Sequence, residues 1–262
     1  MQSNAGIPGA SVGQSRAPRR TACGWLKVLA GVVVVTAAAA GAAAAPCASA
    51  RKPPVVKPTQ ELVTLLKSHK VLSAPHARRS RVSNVPASRP IAGGQTVLPV
   101  IGHSSTGGGV HWLKVRIPGR PNGSNGWIKR RGTVLTTTSW HLVVRTSSRR
   151  VLVYRRGRLA RSFAAIVGKP STPTPQGRFF VEESVRMLAG SAGAPFALAL
   201  SARSDVLQEF EGGPGQIAIH GVANLGGALG TAVSHGCVRL ANRSIRWLAA
   251  RIAPGVPVRI TH

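Results

Sequence analysis

At 262 residues the chain is long enough for one or two domains, and with 43% apolar residues it can bury a core. Its 35 Lys and Arg stand against 6 Asp and Glu, a formal net charge of +29, which suits a polyanionic partner: nucleic acid, an anionic membrane or an anionic cell wall. The only acids are Glu61, Glu182, Glu183, Asp205, Glu209 and Glu211, so paired-carboxylate glycosidase chemistry and multi-carboxylate calcium or magnesium cages have little to be built from.

In chain order, Arg16, Arg19, Arg20 and Lys27 precede an acid-free apolar run from Val28 to Ala45. Ala48-Ser49-Ala50 comes next, with the small-x-small form of a signal-peptidase site. A cationic flank, an apolar stretch and such a site describe a secretory signal over residues 1–50. The run is near the shortest that crosses a bilayer, so an uncleaved membrane anchor is the other reading. In both cases the positive flank leaves the rest of the chain outside the cytoplasm, in the cell envelope.

Residues 51–90 are rich in Pro, Ser, Lys and Arg and read as a basic linker with one short helix, Thr59 to Lys70. Over 91–137 short β-type runs alternate with turns. Trp112-Leu113-Lys114-Val115-Arg116-Ile117 alternates apolar and basic residues as a half-buried strand does, and Pro121 to Gly126 is dense in turn residues. This predicts a small SH3-like module that binds wall polymer or shields the C-terminal domain. From 138 to 262 the strands continue. His141–Arg145 and Arg150–Tyr154 form a predicted hairpin; Arg161–Val167, Phe179–Val181, Phe196–Leu200, Gln216–Ile219 and Val256–Ile260 are further strands. Only Asn242 to Ile252 has helical spacing, with Ile245, Leu248, Ala249 and Ile252 on one face. The fold class is mainly β, a sheet-on-sheet or barrel-like core with one short helix.

Of three cysteines, Cys23 and Cys47 lie in the leader, which leaves Cys237 without a disulfide partner in the folded part. It sits in Ser234-His235-Gly236-Cys237-Val238-Arg239. A thiolate is a strong nucleophile, and a histidine can take the thiol proton and later return it to a leaving amine. Two histidines qualify. His235 would share a side with Cys237 if the segment were extended, while His220, in Ile219-His220-Gly221, can reach it only through the fold. Gly236 lets backbone approach a substrate, and amides around Gly236 and Cys237 suit an oxyanion hole. Nothing ties Asp205 to the site, so a backbone carbonyl such as that of Gly221 is the natural orienter of the imidazole. The same two histidines and cysteine would also make a zinc site.

His220-Gly221, then Ser234-His235-Gly236-Cys237, with Arg239 after it, resembles the catalytic signature of the YkuD-type L,D-transpeptidase domain. Thr174-Pro175-Gln176-Gly177-Arg178-Phe179 matches an upstream element of that family in the expected order, and the resemblance runs from Ser139 to Ile260. The spacing from His220 to Ser234 is short for the family, and position 239 is Arg where some members carry Asn. The resemblance implies an exported bacterial enzyme, of actinobacterial type by its Ala-, Gly- and Arg-rich composition, with a β-sandwich catalytic domain over 138–262. It implies Cys237 as nucleophile and His220 as proton donor and acceptor, held by the Gly221 carbonyl. His235 would support the thiolate and oxyanion region; Ser234 and Arg239 would shape the site, Arg239 meeting a substrate carboxylate or bracing the loop. The implied partners are peptidoglycan stem peptides, anionic wall polymers and, if the leader is kept, the membrane; no cofactor, metal or nucleic acid is called for. The implied reaction forms 3→3 cross-links through a cysteinyl thioester with release of D-Ala, and carbapenems acylate the same thiol. A carboxypeptidase using water as acceptor, and a non-catalytic wall-binding protein, are the alternatives.

Overall fold

A computed structural model of the chain describes residues 55–75, 81–210 and 212–262. The predicted leader over 1–50 lies outside the described residues. Among those described, no helix is long and apolar enough to cross a membrane.

The chain is mainly β, with two sheets and one helix among the described residues. The first sheet contains β1 (Gln60–Leu65), β2 (His69–Leu72), β3 (Arg81–Val85), β4 (Val97–Thr106), β5 (Val110–Arg116), β6 (Asn125–Lys129) and β7 (Thr133–Thr138), in the order β3-β2-β6-β5-β4-β1-β7. This corrects the expected linker over 51–90: from Gln60 onward much of it is sheet. The helix expected from Thr59 to Lys70 is two strands. A short apolar run such as Leu62-Val63-Thr64-Leu65 fits either period, and pairing decides it. β1 lies between β4 and β7, matching all six of its residues to β7 from Gln60↔Thr138 to Leu65↔Thr133, and that placement buries Val63 and Leu65.

The second sheet contains β8 (Trp140–Arg145), β9 (Arg150–Arg155), β10 (Arg158–Gly168), β11 (Gly177–Arg186), β12 (Phe196–Arg203), β13 (Gln216–His220), β14 (Ala232–Ser234), β15 (Val238–Leu240) and β16 (Pro257–Thr261). Its order is β14-β10-β15-β13-β12-β11-β16-β8-β9. β10 pairs with β9 through Arg158–Ala164 and with β15 through Ala165 and Ile166, so the sheet closes on itself. The helix α1 (Asn242–Ala249) buries Ile245 and Leu248 against this core. It stops earlier than the apolar spacing suggested, ahead of Pro254 and Gly255, although Ile252 stays buried.

β11 serves both cores. Successive side chains of a strand point to opposite faces. Phe179 therefore packs with Leu142, Val153 and Leu198 of the second core, while Phe180 packs with Leu98, Leu113 and Ile128 of the first. The next two residues continue the junction. Buried Glu182 pairs with Arg89 and with Arg203 Nη1 at 2.9 Å, and the Glu183 carboxylate accepts the amides of Ile91 (3.3 Å) and Ala92 (2.6 Å). A buried carboxylate is tolerated only when so matched, and two of the few acids in the chain are used here.

Candidate active site

β13 and β15 lie side by side and parallel, with Ile219 opposite Val238 and His220 opposite Arg239. Ile217, Ile219, Val238 and Leu240 are buried in the core. By the two-residue period, Ala218 and His220 point to the other face, with Arg239 beside them. Cys237 stands one step before Val238, level with Ala218. The Ala218 N–H donates to Cys237 Sγ at 3.4 Å. Strand register thus places the thiol level with Ala218, two positions from the imidazole on the neighbouring strand.

His220 is half-buried at the end of β13, and its Nδ1 donates to the Gly221 carbonyl at 2.8 Å. That bond fixes the tautomer and leaves Nε2 with a lone pair. Burial pushes the imidazole pKa below its ordinary value; the Gly221 bond opposes this, and the Arg239 cation adds to it. A neutral imidazole able to accept a proton is the result. Gly193, at φ +83°, packs on the ring so closely that a Cβ there would sit 2.5 Å from Nδ1. Its carbonyl accepts the Gly221 amide at 2.8 Å, and Asn242 Oδ1, at the start of α1, accepts the Val222 amide at 3.0 Å.

The turn that presents Cys237 is held from inside. Ser234 is fully buried; its hydroxyl donates to the Cys237 carbonyl at 2.5 Å and accepts the Gly236 amide at 3.2 Å. Thr174 Oγ1 accepts the Gly168 amide at 2.9 Å and donates to the Gly236 carbonyl at 2.8 Å. The Thr174–Phe179 element is thus a brace beneath the cysteine turn. Gly168 cannot carry a side chain, because its Cβ would overlap the Thr174 amide nitrogen. Since the Gly236 N–H is taken by Ser234, the oxyanion role expected of that amide is not available in this arrangement.

Two expected residues stand differently. Gly236 has φ +118°, which bends the chain, so the same-side rule for His235 and Cys237 does not apply. His235 is exposed, and its ring stacks on Phe210 at 5.8 Å. Arg239 Nη1 donates to the Gly226 carbonyl at 2.8 Å, bracing the loop after β13. Asp205 accepts from Asn122 Nδ2 at 2.9 Å, while the His220 Nδ1 is held by Gly221. Among the described residues, no three His, Cys, Asp or Glu side chains gather as a metal site, so the zinc alternative lacks its ligand set.

The first sheet also reaches this region through the turn between β5 and β6. Arg120 donates to the carbonyls of Pro214 (2.8 Å), Ser204 (2.7 Å) and Leu207 (3.1 Å). Asn122 pairs with both backbone groups of Arg203. These contacts pin the segment whose Phe210 lies on His235. Sequence reasoning missed Ala218, Gly193, Asn242 and Arg120, because each acts through register or backbone contact and carries no motif.

Residues 139–260 match the model of the YkuD L,D-transpeptidase catalytic domain. The YkuD protein of Bacillus licheniformis is 32% identical over 125 residues, 48% of this chain and 67% of that one. This chain belongs to the YkuD L,D-transpeptidase family. The Bacillus subtilis YkuD protein is 29% identical over 47% of this chain and 67% of that one. Among solved structures, L,D-transpeptidase 3 from Mycobacterium tuberculosis in complex with a faropenem-derived adduct has a TM-score of 0.42 at 16% identity, covering 76% of this chain and 97% of that one. An Enterococcus faecium L,D-transpeptidase has a TM-score of 0.37 at 18% identity; 47% of this chain matches 49% of that one, so the chain spans about half its length.

Proposed function

We propose that the chain is a peptidoglycan L,D-transpeptidase acting outside the cytoplasm, with Cys237 as its nucleophile and His220 as its base. The observation that carries this reading is the shared face of β13 and β15, where the Ala218 amide meets Cys237 Sγ and His220 is oriented by Gly221. His220 Nε2 takes the thiol proton. The thiolate attacks the carbonyl carbon of the diamino acid in a tetrapeptide stem, and the carbon–nitrogen bond to the terminal D-Ala breaks. His220 returns the proton to the departing amine, leaving a thioester on Cys237. The side-chain amine of a second stem attacks the thioester, gives its proton to His220 and expels the thiolate, which forms a 3→3 cross-link.

With the Gly236 amide taken by Ser234, the Cys237 amide is the remaining donor of the expected pair for the tetrahedral oxyanion. Ser234 and Thr174 hold the turn rather than touch substrate, and Arg239 steadies the loop over the cleft. The cationic surface suits substrates with several carboxylates in an anionic wall.

The test is incubation of the protein with a disaccharide tetrapeptide and mass analysis of products. A cross-linked dimer with released D-Ala supports the reading. Tripeptide alone assigns water as acceptor and makes the chain a carboxypeptidase. Undiminished turnover by Cys237→Ala would overturn the mechanism.

A further inference from the structure

A second cleft, of about 660 Å³, opens between the two sheets. Its lining gathers basic side chains from both sheets. Arg116 comes from β5 of the first sheet; Arg178 on β11 and Arg259 on β16 come from the second, and His141 from β8. Arg178 and Arg259 are directly opposite each other in the antiparallel β11–β16 pair. Like charges so placed repel. Arg116 is half-buried, and its guanidinium is held below its usual pKa by burial and by Arg178. His141 Nδ1 is buried without a hydrogen-bond partner. The other titratable groups of the lining are Lys57, His103 and Glu61, and Glu61, its one acid, is taken by His103 Nε2 at 2.6 Å.

Many arginines of this chain are simply solvated. These differ because they converge on a concavity, one of them is desolvated, and no carboxylate answers them. Leaving a half-buried guanidinium without a counter-charge is costly. An anion with oxygens in several directions would relieve all three at once, and a tetrahedral phosphate does this better than a planar carboxylate.

We propose that this inter-sheet cleft is an anion-binding site for a phosphate or phosphodiester group, with Arg116, Arg178 and Arg259 as its ligands. It is separate from Cys237 and does not depend on the transpeptidase reading. A wall-polymer phosphodiester and a lipid headgroup share this chemistry.

The test is calorimetric titration of the full chain with inorganic phosphate and with glycerol 3-phosphate. Cosedimentation with phosphatidylglycerol vesicles, against phosphatidylcholine vesicles, separates the lipid source from the soluble one. Saturable binding to a single site is expected, weakened about tenfold or more in Arg178→Gln/Arg259→Gln. Both side chains are exposed, so the pair should leave the thermal midpoint in place. The control is Arg155→Gln/Arg158→Gln, on the β9–β10 turn, which removes equal charge elsewhere. Retained affinity in the control supports the site. Equal loss in both pairs, or binding that never saturates, would show only diffuse attraction to a basic protein and overturn it.

Discussion

The backbone amide of Ala218 and the sulfur of Cys237 are 3.4 Å apart across the parallel β13–β15 pair. Ala218 lies two residues before His220 on the same face of β13, so a larger side chain there would enter the space beside Cys237. Ala218→Leu should fill that space while leaving the core on the opposite face intact. Transpeptidation is expected to fall roughly a hundredfold with little change in melting temperature; steady-state kinetics with thermal denaturation checks both.

Protonation of His220 should switch the reaction off. Its pKa lies below the ordinary imidazole value of 6.5, so the acidic limb of kcat/KM in the free enzyme should fall below that value too. A limb at or above it would argue against His220 as the base.

Stability should follow the same sign. His69, His141 and His220 all have pKa values lowered mainly by burial. The unfolded chain therefore binds protons at a pH where the folded chain does not. Stability is fully present above about pH 6.5 and is lost as pH falls toward the folded-state values. Melting temperatures from pH 7 to pH 5 should decline, and His220→Asn should flatten part of the slope.

Thr174 joins Gly168 to Gly236 through one hydroxyl. Thr174→Val keeps the shape but deprives the half-buried Gly168 amide and the buried Gly236 carbonyl of this partner, at about 2–4 kcal/mol by denaturant unfolding. Thr174→Ser should recover most of it, because the hydroxyl rather than the methyl makes the brace.

Arg120 is exposed and far from Cys237 in sequence, yet it caps three carbonyls of the segment bearing Phe210. Arg120→Ala should raise amide exchange in peptides covering 203–210 and lower kcat/KM about tenfold. Unchanged exchange there would show that the first sheet does not position this wall.

In the second sheet β14 and β15, three residues each, were too short to stand out, whereas seven strands were legible because their apolar runs are bounded by turn residues. The hairpin of β8 and β9 and the placing of α1 result from that. The first sheet was legible only from Val97 onward. Upstream, Leu62 to Leu65 and His69 to Leu72 are short, surrounded by basic residues and stabilised by partners far along the chain, which local pattern does not reveal. The expectation that His220 serves Cys237 came from the motif. The spacing favoured His235, and Gly236 at φ +118° is what undoes that expectation. The brace from Thr174 and the reach of Arg120 depend on single contacts between distant segments, and no periodicity records them.

The most direct test of the central claim is the mass of the intact protein after incubation with a carbapenem. Acylation of Cys237 predicts a gain of one carbapenem, mapped to the peptide that contains Cys237 and absent from Cys237→Ala. No adduct, or the same adduct in Cys237→Ala, would contradict the assignment of Cys237 as the nucleophile.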